Sequence, residues 1–110
     1  MTRHVELPEE KIPAPGMRGF LFVEGKGIAL FNVAGTVYAI DDSCPHSGGS
    51  LFGGKLDGQT LQCPVHGLKF DLATGCMRNG GSMSLHRHAV GLVNGKFVIT
   101  VVGTGPADIV

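Results

Sequence analysis

The residues of this chain best suited to chemistry lie in two short peptides, Cys44-Pro45-His46 and Cys63-Pro64-Val65-His66. Each sets one thiol beside one imidazole, and 16 residues separate His46 from Cys63. Four soft or borderline donors in two similar loops point to a metal centre. A structural zinc site usually pairs Cys with Cys and His with His, whereas each loop here mixes the two types. Proline after each cysteine removes a backbone donor and stiffens the loop. The nearby Gly48, Gly49 and Gly67 leave the backbone free to turn its N–H groups toward sulfur.

The remaining reactive side chains carry weaker signals. Cys76 stands outside both loops and reads as an ordinary reduced thiol. His86 and His88 alternate on one face of an expected strand and read as two exposed histidines without a third ligand. Asp41 and Asp42 read as a solvated acidic edge, and Asp71 as a turn residue that holds the second loop by local hydrogen bonds. No general acid–base pair, dinucleotide loop, phosphate loop, nucleophile elbow or 2-His-1-carboxylate iron site is visible.

The elements that position these loops read as strands. Arg18–Val23, Gly27–Val33 and Thr36–Ile40 are rich in Phe, Val, Ile and Leu and are separated by glycine turns. Met83–Val93 and Lys96–Val102 flank Asn94-Gly95, a strong two-residue hairpin signal. Leu56–Gln59 and Ala73–Gly75 read as further turns, Pro8–Lys11 as one helical turn in an extended lead-in, and 103–110 as a frayed tail. No apolar pattern of helical period runs for ten residues, so the fold class is all-β. Half of the 18 glycines and all three cysteines fall between Asp41 and Ser82. The expected layout is one domain over 1–110. Its antiparallel sandwich or barrel base spans about 1–40 and 83–102 and carries a glycine-rich metal-binding insertion at about 41–82.

Composition narrows the function. The chain has 110 residues, enough for one modest core but not for nucleotide, substrate and redox domains together. Nine basic and nine acidic residues leave no footprint for nucleic acid or an anionic membrane. Three cysteines cannot all pair within the chain, and residues 1–11 are polar with no apolar targeting segment, so a cytoplasmic protein is expected.

The motif Cys-x-His, then 16 residues, then Cys-x-x-His resembles the Rieske family. The resemblance runs from about Met17 to Val101 and takes in Leu51, Gly54, Asp57-Gly58, Phe70-Asp71 and Thr74-Gly75. The chain is most similar to the small Rieske ferredoxins of bacterial multicomponent oxygenases. The resemblance implies one [2Fe–2S] cluster, with Cys44 and Cys63 on the inner iron and His46 and His66 on the outer. Gly48, Gly49, Phe52, Gly67 and Leu68 would surround it, Phe52 either in a docking surface or folded into the core. It further implies a one-electron carrier with no turnover of its own, in transient contact with a flavin-dependent NAD(P)H reductase and a terminal oxygenase; a monomer is the simplest expectation. The alternatives are a Rieske-type small subunit of a larger redox enzyme, such as assimilatory nitrite reductase, or a structural zinc module. The loop Met77–Met83 lacks the proline that the family usually places there.

Two neutral imidazoles make an oxidised cluster formally neutral, where four thiolates would make it doubly negative, so mixed ligation raises the potential. Respiratory-type relatives raise it further with an extra disulfide between the loops and with hydroxyls donated to sulfur. The corresponding residues here are Gly49, Val65, Leu68 and Phe70, which supply neither. A spectroelectrochemical titration is therefore expected to give a midpoint near about −150 mV, and one approaching about +300 mV would contradict this reading.

Overall fold

The computed structural model describes residues 2–23, 25–44, 49–64, 67–78 and 83–102, with the backbone alone at 2, 3, 101 and 102. The tail at 103–110 and the centre of the 77–83 loop lie outside these residues. Nine antiparallel strands are described: β1 (Thr2–Glu6), β2 (Arg18–Val23), β3 (Lys26–Val33), β4 (Thr36–Asp41), β5 (Lys55–Asp57), β6 (Thr60–Gln62), β7 (Lys69–Asp71), β8 (Arg87–Val93) and β9 (Lys96–Val102). They form a six-stranded sheet in the order β1-β9-β8-β4-β3-β2 and a three-stranded sheet in the order β5-β6-β7. Among the described residues one 3-10 turn, Glu9–Lys11, follows Pro8. No helix among the described residues is long and apolar enough to cross a membrane.

Alternation along β3 organises the interior. Ile28 and Leu30 point to one face and pack with Leu7, Ala39 and Ile99. Ala29 and Phe31 point to the other, where they meet Ile40, Leu51, Leu61, Phe70, Leu72, Leu85 and both Cys44 and Cys63. A strand apolar on both faces is one buried between two layers. β3 is that strand, and the second layer is the part of the chain that carries the cysteines.

The six-stranded sheet has a narrow seam. β3 and β4 pair over six residues and β8 and β9 over five, but β4 and β8 share only Ala39↔His88 and Ile40↔Arg87. One further backbone bond, from Asp41 N–H to the His86 carbonyl at 2.9 Å, extends that ladder. The Asn94-Gly95 turn forms as expected, with Asn94 at φ 52° and Gly95 at φ 78°. Ala34 also has positive φ, at 53°, a conformation that costs a residue with a Cβ about 1–2 kcal/mol. The neighbouring Asn32 offsets this, since its side-chain oxygen accepts from Gly35 N–H at 2.9 Å.

Two expectations are corrected. The lead-in contains a strand, β1, paired with β9 from Thr2↔Val102 to Glu6↔Val98. The strand expected from Met83 starts only at Arg87, with Ser84 held by an isolated bridge to Cys76.

Gly54 leads into β5 where the chain packs tightly against β6. A Cβ there would collide with the Gln62 carbonyl oxygen and lie 3.0 Å from both the Leu51 carbonyl and Leu61 Cδ1. Two of those three atoms are backbone and cannot swing aside. Gly54→Ala is expected to lower the unfolding free energy by about 1–3 kcal/mol in a denaturant titration.

Candidate metal centre

Cys44 follows β4 after two residues, and Cys63 follows β6 directly. Both are almost fully buried, at 2% and 1% exposure, and neither is in a disulfide. The loops that begin at them close in the same way. Cys44 N–H donates to the Gly49 carbonyl at 2.8 Å, and Cys63 N–H to the Leu68 carbonyl at 2.7 Å. In both cases the bond spans five residues. The second loop has one more tie, from Gly67 N–H to the Cys63 carbonyl at 2.9 Å, with Gly67 at φ 73°. That left-handed turn favours glycine.

The first loop is braced by two side chains, Arg18 from β2 and Asp42 just beyond β4. Asp42, whose own N–H donates to the Gly27 carbonyl, sets its carboxylate against residues 50–52. Oδ1 accepts from Leu51 N–H at 2.8 Å and Phe52 N–H at 2.7 Å, and Oδ2 accepts from Ser50 Oγ at 2.7 Å. Arg18 Nη1 donates to the Phe52 carbonyl at 2.6 Å and the Gly54 carbonyl at 2.8 Å, and its guanidinium lies 5.1 Å from the centroid of Phe31. Asp42 is therefore a clamp and no solvated edge. Arg18 carried one sequence signal, as a cation heading the apolar run Arg18–Val23.

Among the other expected site residues, Gly49 supplies the carbonyl that closes the first loop. Leu68 closes the second and packs half-buried against the cysteine-containing core. Phe52 is half-buried, packs on the same core and meets Phe20 edge-to-face at 5.7 Å. Gly67 is exposed at its turn. His46, His66 and Gly48 lie outside the described residues. Cys76 is exposed, and Asp71 ends β7 with Oδ1 accepting from Ala73 N–H at 2.8 Å, as a turn residue does.

Asp41, His86 and His88 depart most from expectation. His88 is buried, and its Nε2 lies 2.6 Å from Asp41 Oδ1. The rings of His86 and His88 meet edge-to-face at 4.9 Å. Burial pushes the Asp41 carboxyl up, but the His88 hydrogen bond and the charges of His88, Lys26 and His86 outweigh it. The net effect holds Asp41 below the usual carboxylate range. The histidines do have a third group beside them, because β4 brings one from 47 residues away.

Two buried thiols outside any disulfide, each at the head of a loop closed by the same five-residue bond, suit thiolate ligation of a cluster between the loops. The Rieske [2Fe-2S] domain model matches residues 3–89. The chain belongs to the Rieske [2Fe-2S] domain family. Membership implies one [2Fe–2S] cluster held by cysteine and histidine.

Among curated proteins, the ferredoxin component of the naphthalene 1,2-dioxygenase system of Pseudomonas putida is 43% identical over 53 residues, 48% of this chain and 51% of that protein. The chain thus spans about half the length of the curated relatives it matches. Among solved structures, the Sphingomonas yanoikuyae B1 ferredoxin superposes with a TM-score of 0.76 at 26% identity, covering 91% of this chain and all of that one. A complex of reduced oxygenase and oxidised ferredoxin in carbazole 1,9a-dioxygenase matches with a TM-score of 0.70 at 29% identity, over 79% of this chain and 82% of that one.

The Asp42 clamp gives a graded test. Asp42→Ala leaves two backbone N–H groups and a hydroxyl without their acceptor and is expected to cost about 2–4 kcal/mol, with iron content falling in proportion. Asp42→Asn keeps an oxygen at the Oδ1 position and is expected to lose less than half of that. An Asp42→Ala protein as stable and as iron-rich as the wild type would show that the carboxylate does not brace the loop.

Proposed function

We propose that the chain is an electron-transfer component that takes one electron from a flavin-dependent NAD(P)H reductase and delivers it to a terminal oxygenase. The observation that carries this is the pair of buried, non-disulfide cysteines, each heading a loop closed by the same five-residue bond on one core. Relatives named as ferredoxin components of dioxygenase systems support it. In this reading Cys44 and Cys63 ligate one iron and His46 and His66 the other. When bound, the cluster supplies a one-electron couple.

The chain's own residues prepare the site. Asp42 and Arg18 fix the outgoing limb of the first loop, and Gly67 and the Leu68 carbonyl fix the second. Leu51, Leu61, Phe70 and Leu72 exclude water from the cysteine side, which keeps reorganisation on electron transfer small. Residues 41–82 form the cluster-binding part and 1–40 with 83–102 its base, within one domain that works as a monomer. A cytoplasmic location fits, since Cys44, Cys63 and Cys76 are all outside disulfides.

The test is reconstitution with NADH, a flavin reductase and a Rieske-type terminal oxygenase. Product formation is expected to rise and saturate with added chain, and to vanish for Cys63→Ser, which is also expected to lose its visible absorption and its iron. A colourless wild-type protein containing zinc would overturn the proposal. So would a stable stoichiometric complex with a large redox enzyme and no transfer to an oxygenase.

A further inference from the structure

Asp41, His86 and His88 converge on the face of the larger sheet that points away from the cysteines. Asp41 pairs with Ile28, and His88 with Ala39, and both partners belong to the core layer on that side. Ile40, between Asp41 and Ala39, turns to the cysteine side. The bond from Asp41 N–H to the His86 carbonyl sets those two residues opposite one another, with His88 one diagonal step along the same face. One donor atom from each of the three side chains lies within 4.8 Å of the other two. The His88 side chain is fully buried and that of Asp41 is 13% exposed, so these groups are not a solvated charge cluster. Lys26, from β3, lies 3.5 Å from Oδ2, the carboxylate oxygen that does not face His88.

We propose that Asp41 Oδ1 and one ring nitrogen each from His86 and His88 form a second metal site, which binds a divalent late first-row cation, zinc foremost. Two imidazoles and a carboxylate are a donor set that zinc accepts with a water in the fourth position. The cation replaces the proton that Nε2 of His88 and Oδ1 of Asp41 share, and that proton leaves to Nδ1 or to solvent. Metal–ligand bonds of about 2.0–2.2 Å set tetrahedral ligand atoms a little over 3 Å apart, so the 2.6 Å contact widens by less than about 1 Å. The ion would staple β4 to β8 where they share only two register pairs. Lys26 opposes it by charge from the far oxygen.

The test uses the protein with its cluster in place, washed with chelator and titrated with Zn2+ against a chromophoric indicator. One zinc per chain is expected, with the cluster absorption unchanged and the unfolding midpoint raised. His86→Asn and Asp41→Asn are each expected to weaken binding by at least ~10-fold, the loss that even an outer-shell partner typically brings. Lys26→Met is expected to tighten binding several-fold, and Cys76→Ser to leave it unchanged. X-ray absorption of the zinc-loaded wild type, which needs no variant to fold, is expected to show two imidazoles with oxygen and no sulfur. No saturable zinc binding, a sulfur ligand, or affinity unmoved by His86→Asn would overturn the proposal.

Discussion

Two sulfurs must be kept out of water and yet be surrounded by hydrogen-bond donors, and most of this structure follows from that requirement. Burial alone is simple, since an apolar core provides it, but an apolar core has no donors. The chain sets each cysteine at the head of a short loop, with the core of Phe31, Leu51, Leu61, Phe70 and Leu72 on one flank. The matching bonds from Cys44 to Gly49 and from Cys63 to Leu68 make those loops alike. Their likeness suits the proposed reading, in which two separate peptides act as halves of one holder.

The loops need a footing, and the larger sheet provides it through β3, buried on both faces. Phe31 serves twice, filling the cysteine-side core and lying against the Arg18 guanidinium that grips the Phe52 and Gly54 carbonyls. Asp42 grips the same limb through its N–H groups. One cation takes the carbonyls and one anion takes the amides. The limb is held from both sides of its peptide planes without a regular strand.

Much of this was legible in the sequence. The family motif, β2 to β4 and the Asn94-Gly95 turn rest on local chemistry, which a sequence displays directly. What escaped depends on pairing across distance. β1 is polar and unremarkable by itself and becomes a strand because β9 offers it an edge. β5, β6 and β7 have three residues each, too few for alternation to register. Asp41, Asp42 and His88 looked like solvent-facing residues because their partners lie on other strands. Ala34 breaks a local preference at its turn, and only Asn32, two residues earlier, explains how that is tolerated.

The pairing of β1 with β9 also sets a timetable. Thr2 meets Val102, so β1 is completed only by a strand made about 100 residues later. At a synthesis rate of roughly 10 residues per second, β1 waits on the order of ten seconds for its neighbour. Closing so long a loop is costly in entropy, and its reward comes only once the rest of the chain has condensed. An unpaired strand during that interval is an invitation to other chains. The sequence Thr-Arg-His-Val-Glu, with a single aliphatic residue among charged and polar ones, answers that hazard. The strand is sticky enough to join a sheet already built and too polar to start one with a stranger.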